Sequence, residues 1–471
     1  MNQKSLPAPA PALFPDPAER RRIGDWLTQE LEAAAIRVRA GPVAPTIDMQ
    51  RFRAELDAFD FERPQPLEDA LRWSIERLEH GIVQMSNPRY FGLFNPGANF
   101  PAQCADRLAA SFNPQLASSA SSPVPVALES HVIRAVAHRA AFGNDATGHF
   151  ATGGSEANYT ALICALTAAH PLFSADGVRA FGGPARFYTS RDCHIAWLKI
   201  AHQAGVGRSA LRLIDTDGRG RMSPKALQRA IEEDRDAGAV PVMIVATAGT
   251  TGAGMIDPLA ECAEIAKQHA LWYHVDAAWG GAALVSNRLR SVLAGMERAD
   301  SITIDAHKWF ATTMGCAIFI TRRGELLSEA FHASTSFMPS SIAGVDPYLN
   351  SMQWSRRFLG LRLFLALAAA GWEGLAAHVE RGVAVIDSVR ERLAASGWRI
   401  VNDSPLAVLN AIPPAELGDV RALVRRVVVS GRAWVAPATL EGQDVVRICA
   451  TNGETAIEDV DALVAALNAK Y

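Results

Sequence analysis

Through the middle of this chain, short apolar runs alternate with stretches of helical spacing. Residues 185–205 read as a short strand, a polar turn and a helix. Residues 240–281 read as a strand, a Gly/Thr loop, a helix and a second strand ending in Asp276. The run 301–304 is a further strand, followed by the turn that carries Lys308, and 315–321 is another. Residues 149–170 form a Gly-Gly-Ser turn that opens a helix. Strands that are apolar throughout need cover on both faces, so this alternation predicts β-α units on a largely parallel sheet. Functional groups then collect in loops at the carboxyl ends of the strands. Ser155, His194, Thr251, Asp276 and Lys308 all fall at such ends or on the turns that follow.

The flanks have a different texture. Residues 1–17 are rich in Pro and Ala and predict an extended leader. From Asp16-Pro17 a helix follows, with Ile23, Trp26, Leu27, Leu31 and Ile36 near helical spacing. Its broad apolar face has no partner nearby in sequence, which predicts a subunit contact. Another helix is predicted over 70–81. Residues 86–103 then mix Pro, Gly, Asn and aromatics, the composition of an irregular segment whose aromatics either wall a pocket or pack a long connection. Helices over 101–112 and 126–142 flank a Ser-rich turn. Beyond Arg323, residues 331–352 form a loop long enough to be a lid. A long helical stretch (354–396), strands at 398–402, 406–411, 432–438 and 444–449, and a helix over 454–468 predict a smaller α+β domain. The expected division is a segment 1–80, a large domain 81–345 and a small domain 346–471.

Composition narrows the functional classes. The chain has 471 residues, 49% hydrophobic and 20% charged, with net charge −3. Such balance gives no reason to expect nucleic acid or an anionic membrane as partner. Charged residues, Gly or Pro interrupt every apolar run before the roughly 18 residues that span a bilayer. The N-terminus lacks the apolar core of a signal peptide. Six cysteines stand singly, with no C-x-x-C pair, which suits reduced thiols in a cytoplasmic protein and argues against a zinc site. No metal is expected.

Five features carry chemistry. Lys308, at the end of an apolar strand, is either a snorkelling surface lysine or a desolvated amine able to form a Schiff base. The turn Gly154-Ser155 before a helix is either a plain N-cap or an anion cradle. Asp276 ends an apolar strand and needs a cationic or N–H partner, either an Arg or a protonated pyridine nitrogen. His194 either caps and packs or lies flat on an aromatic ring. Thr251 offers a polar edge. One molecule accounts for all five: pyridoxal 5'-phosphate, an aromatic aldehyde with a ring nitrogen and a phosphate.

With HVDAAWGG, DAHKW and GGSEAN in place, the chain resembles the group II pyridoxal-phosphate-dependent amino-acid decarboxylases. These include the aromatic-L-amino-acid, histidine and glutamate decarboxylases. The resemblance runs from about Asp69 to the C-terminus and is strongest over 149–322. It implies an α/β fold of the type I pyridoxal-phosphate class, with active sites at a homodimer interface. It implies Lys308 as the Schiff-base lysine, His307 beside it, Asp276 on the ring nitrogen and Ala278 packed on the ring. His194 would be catalytic, stacking on the opposite face and meeting the substrate carboxylate, Gly154 and Ser155 would hold the phosphate, and Thr251 would stand near the ring oxygen or imine. Asp257 would support the Thr251 turn.

Two departures stand out. Asp305 occupies a position where several relatives carry Asn near the phosphate, and an acid there would repel a dianion unless it points away. Relatives of the aromatic type also carry a loop tyrosine that reprotonates Cα. Tyr348, the only tyrosine between Phe331 and Arg357, is the counterpart expected here. Arg447 could grip a substrate carboxylate or serve the fold alone, as an Arg in this strand does in group II decarboxylases.

The reaction implied is decarboxylation of an L-amino acid to an amine and CO2. Transamination or decarboxylation-dependent oxidative deamination are alternatives on the same scaffold. A cofactor-free binding protein is the alternative outside enzymes. Arg89, Tyr90, Phe91 and Phe94 are expected near the substrate side chain; the aromatics favour an aromatic or apolar substrate, while Arg89 could hold an acidic one. One observation separates enzyme from binding protein. A visible absorption band is expected on mixing with pyridoxal 5'-phosphate and is lost in Lys308→Ala; a protein without the band is not an enzyme of this class.

Overall fold

The computed structural model describes residues 10–333 and 346–469. Seven strands form the central sheet: β1 (Thr147–Ala151), β2 (Ala185–Ser190), β3 (Leu211–Ile214), β4 (Val240–Thr247), β5 (Trp272–Asp276), β6 (Ser301–Asp305) and β7 (Ala317–Thr321). Their spatial order is β1-β7-β6-β5-β4-β2-β3. β7 runs antiparallel to both neighbours and the other pairings are parallel. Side chains alternate between two cores, as strand geometry requires. Met243, Val245, Trp272 and Phe319 pack with the helix Gly154–Ala169. Ile244, Ala246, Tyr273, Val275, Ile302 and Ile304 face the opposite layer, which includes the helices Pro123–Arg139, Pro224–Asp236, Leu259–His269 and Leu361–Ala395. Each buried Val, Ile, Met or Phe among them contributes about 1.5–3 kcal/mol. The mainly parallel α/β expectation holds.

The second sheet is antiparallel, in the order β10-β11-β9-β8. It consists of β8 (Arg399–Ile400), β9 (Val408–Ile412), β10 (Ala436–Leu440) and β11 (Gln443–Cys449). The helix Leu361–Ala395 breaks at Gly371, whose φ of +64° is in the left-handed region that favours glycine. It starts later than the 354–396 pattern indicates. Strands β1 and β3 and the helices Met49–Asp57 and Pro224–Asp236 have no counterpart in the sequence reading. β1 hides because Gly148 and His149 interrupt its apolar run. Tertiary contact explains the glycine: a Cβ there would lie 1.9 Å from the Phe319 carbonyl oxygen.

The helix Pro17–Ala40 starts as expected, with Asp16 accepting from the backbone N–H groups of Ala18 and Glu19. Arg72 stacks on Trp26 at 4.5 Å and Arg22 pairs with Glu68, so the helix Leu67–Gly81 covers one side. Leu31 and Ile36 remain exposed, at 42% and 72%. They border a cavity of about 820 Å³ shared with the helices Phe100–Phe112 and Leu361–Ala395. Among the described residues no single helix is long and apolar enough to cross a membrane. No cluster of metal-ligating side chains occurs among them either, and all six cysteines are free.

Two buried histidines make the sheet sensitive to acid. Burial, with the Arg356 charge nearby, lowers His149 on β1 from 6.5 to about 3. Burial lowers His274 on β5 from 6.5 to about 4. Both folded values lie below the unfolded one, so their contribution to stability is complete above 6.5 and is lost as the pH falls towards 4. The gap in thermal midpoint between wild type and His149→Phe is therefore expected to move in favour of the variant as the pH falls from 7 to 4.5. An identical pH slope in that variant would contradict a neutral buried His149.

Candidate active site

Strands β1, β2, β4, β5 and β6 point the same way, so their carboxyl ends share one edge of the sheet. β6 ends in Asp305, and the turn after it presents Lys308. The Lys308 Nζ is 2.9 Å from Asp305 Oδ2, with 18% of the side chain exposed. Phe94 lies beneath the amine, its ring centre 5.8 Å away. The Asp305 backbone N–H donates to the Ala278 carbonyl at 2.9 Å, which ties the ends of β5 and β6 together. A Cβ on Gly154 would stand 2.9 Å from Asp305 Oδ2, so any larger residue there would push the carboxylate away from the helix start. Asp305 thus faces the Gly154 turn and does not point away from it. Its Oδ1 is buried without a partner among the described residues. It belongs to the site, and the sequence reading left it out. His307 is buried, its Nδ1 3.0 Å from the Cys316 carbonyl and its Nε2 3.8 Å from Asp305.

Asp276, at the end of β5, accepts from Asn158 Nδ2 at 2.8 Å and from the Ala278 backbone N–H at 3.2 Å. Each oxygen keeps acceptor capacity for one more donor. Ala278 is half-buried. His194 is exposed beyond β2, and its Nδ1 accepts from the Ala196 N–H at 3.2 Å, which leaves the proton on Nε2. Gly154 and Ser155 open the helix Gly154–Ala169; the Glu156 and Ala157 N–H groups donate to the Gly153 carbonyl, and the Gly154 and Ser155 N–H groups before them are the ones placed for an anion. Ser155 is exposed.

Thr251 sits on the loop after β4. Four consecutive carbonyls of that loop are held by side chains from the small-sheet region. Arg447 Nε donates to Thr251 at 2.7 Å, and Asn410 Nδ2 to Gly252 at 3.1 Å. Asn402 Nδ2 donates to Ala253 at 2.9 Å, and Ser404 Oγ to Gly254 at 2.7 Å. Asp257 accepts from the N–H groups of Thr247 and Met222 at 2.8 and 2.7 Å, and so holds the end of β4. Burial pushes Asp257 up to about 7.

The expected pocket wall is only partly in place. Phe94 faces Lys308 and stacks on Trp279 at 4.3 Å, and Trp279 stacks on Trp309 at 4.8 Å. Arg89 donates to the Gly41 carbonyl at 2.7 Å. Tyr90 is buried against Trp434, with its hydroxyl accepting from the Leu93 N–H. Phe91 is fully buried. Backbone bonds from Phe91 to Trp434 and from Trp434 to Arg89 pin this segment beside the small sheet. That packing corrects the expectation for Arg89 and Tyr90, whose polar atoms serve the fold. Arg447 likewise donates to the carbonyls of Thr251 and Gly92, which favours its structural role.

Most of the expected lid, residues 334–345, lies outside the described residues. Tyr348 packs on Trp354 at 4.7 Å, and its N–H donates to the Ala117 carbonyl. No described contact joins it to Lys308. Asn158 and Trp279 are site neighbours that the sequence reading missed. Asn158 lies four residues after Gly154, one helical turn along the same face, and that spacing was available.

The residues fit pyridoxal 5'-phosphate. An amine for the aldehyde, a buried carboxylate with free acceptor capacity and a glycine-lined helix start share one strand edge. The family described as the pyridoxal-dependent decarboxylase conserved domain matches residues 50–406. The acidic amino acid decarboxylase of Mus musculus is 32% identical over 66% of this chain and 58% of its own length. The aromatic-L-amino-acid decarboxylase of Bacillus atrophaeus is 27% identical over 94% of this chain and 93% of its own length. The chain thus spans less than two thirds of the length of the first of these relatives. The crystal structure of mouse CSAD in apo form superposes with a TM-score of 0.90 at 26% identity, covering 96% of this chain and 98% of that one. By its strand-end lysine and aspartates, its fold and its sequence, this chain belongs to the pyridoxal-dependent decarboxylase family.

Proposed function

We propose that the protein decarboxylates an L-amino acid to the corresponding amine and CO2. The observation that carries this reading is Lys308 held by Asp305 beside the Gly154 turn, one strand from Asp276. Bound pyridoxal 5'-phosphate supplies the sink for the electron pair left at Cα. Lys308 would anchor it, Asp276 would hold its ring nitrogen, and Gly154 and Ser155 would take its phosphate. His194 and Ala278 would pack on its ring, and Thr251 and His307 would complete its surroundings.

An aromatic or apolar substrate is supported by the Phe94–Trp279 stack and by the engagement of Arg89 with a backbone carbonyl. One observation favours an acidic substrate instead. Arg447 Nη2 is buried beside Cys449 with no oxygen acceptor among the described residues. Assaying a panel of L-amino acids for CO2, amine, aldehyde and keto acid together decides both points. Amine and CO2 in equal amounts from aromatic substrates are the expected result; keto acid without CO2 would replace decarboxylation by transamination. The same assay tests Tyr348 as donor of the proton to Cα: Tyr348→Phe should raise the aldehyde share, and an unchanged product profile removes that role.

The assembly we propose is a homodimer, supported by exposed Leu31 and Ile36 beside the apolar cavity between helices. Sedimentation at micromolar concentration should give twice the 50.6 kDa chain mass. A monomer there would overturn it.

A further inference from the structure

Behind Asp276 lies a row of polar side chains that none of the roles above uses. Trp272 Nε1 is 2.9 Å from Ser301 Oγ, and Ser301 Oγ is 2.8 Å from His274 Nδ1. His274 Nε2 is 3.1 Å from Asn158 Oδ1, and Asn158 Nδ2 is 2.8 Å from Asp276 Oδ2. All five residues are buried, none more than 5% exposed. The row crosses from β5 to β6, back to β5 and then to the helix Gly154–Ala169. It therefore ties three elements to one carboxylate.

The chemistry of the two ends fixes the direction of every bond. An indole N–H can only donate, so Ser301 Oγ accepts from Trp272. An ionised carboxylate can only accept, so Asn158 presents its amide N–H to Asp276 and its carbonyl oxygen to His274. His274 Nε2 must then carry a proton. Burial keeps the imidazole neutral above about pH 4, so Nδ1 is left as an acceptor and takes the Ser301 hydroxyl proton. Each group donates towards Asp276 and none donates back.

We propose that Trp272, Ser301, His274 and Asn158 are positioning residues, a one-way chain of donors that keeps the Asp276 carboxylate oriented to accept from a protonated ring nitrogen. The inference rests on the cofactor reading above. Asp276 already accepts from Asn158 and from the Ala278 N–H. Its remaining lone pairs can be satisfied only by another donor, and a ring nitrogen without a proton offers none. The chain thus selects the protonated ring, the form that draws electrons most strongly. Neighbouring bonds aligned in one direction also polarise one another, so the effect of a distant member reaches the carboxylate. Simple satisfaction of buried polar groups accounts for the bonds themselves. It gives the distant members no effect on the cofactor.

The test uses the full-length protein loaded with pyridoxal 5'-phosphate carrying 15N in the ring. The wild-type resonance is expected at the protonated position. In Asn158→Ala it should move towards the unprotonated position, with cofactor binding weakened roughly 10- to 100-fold, as for loss of a hydrogen bond to a charged group. Trp272→Phe and Ser301→Ala should move it in the same direction by less, although neither residue touches Asp276. Trp398→Phe is the control. It removes an indole bond of 2.9 Å to Asn468 in the small-sheet region and should leave the resonance in place. A resonance unmoved in Trp272→Phe and Ser301→Ala, with only the thermal midpoint lowered, overturns the inference alone. A wild-type protein that takes up no cofactor overturns the functional reading as well.

Discussion

Lys308 and Asp305 share one sheltered corner at the end of β6, with nitrogen and oxygen 2.9 Å apart. Either charge placed there without the other would be costly to desolvate, so the pair stays because each member partners the other. The surroundings keep the corner in shape. Asp305 is tied through its N–H to Ala278 at the end of β5, and the Lys308 N–H closes the turn on the Asp305 carbonyl. Gly154 lets a helix start approach the same carboxylate. The Lys308 amine, the Gly154 helix start and the Asp276 carboxylate therefore meet because parallel strands end together.

The small sheet takes part in this geometry although its strands carry none of the proposed cofactor ligands. Arg447, Asn410, Asn402 and Ser404 donate to consecutive carbonyls of residues 251–254. A loop whose carbonyls are all engaged has little freedom to shift, and Thr251 is fixed with it. Arg447 also donates to the Gly92 carbonyl and lies 4.5 Å from the Phe94 ring. One guanidinium thus joins the β4 loop, the aromatic wall and β11. Its role in the fold follows from these bonds, while the atom left over, Nη2, keeps the substrate question open to assay.

Much of the candidate site was legible as a cluster because its features are local. Lys308 and His307 are neighbours in one turn, Gly154 and Ser155 open one helix, and Asp276 ends one apolar strand. Residue type and local spacing are enough for such features. Arg89 and Tyr90 failed for the opposite reason. Their segment looked like a pocket wall by composition, but backbone bonds to Trp434, more than three hundred residues away, fix it beside the small sheet, where Arg89 Nη2 meets the Gly41 carbonyl and the Tyr90 hydroxyl meets the Leu93 N–H. Asp305 failed because electrostatic reasoning took the anion as its only neighbour and overlooked Lys308, three residues on.

The sequence by itself determined the parallel α/β layering, the strand ends that carry chemistry and the cofactor that suits them. These follow from the period of the hydrophobic pattern and from the chemistry of single side chains. Tertiary structure decided which polar atoms remain free. It turned Asp305 towards Lys308, occupied Arg89 and most of Arg447, and lined up Trp272, Ser301, His274 and Asn158 behind Asp276. Whether a buried donor or acceptor is available depends on what other strands and helices bring within about 3 Å of it. No local pattern along the chain specifies that.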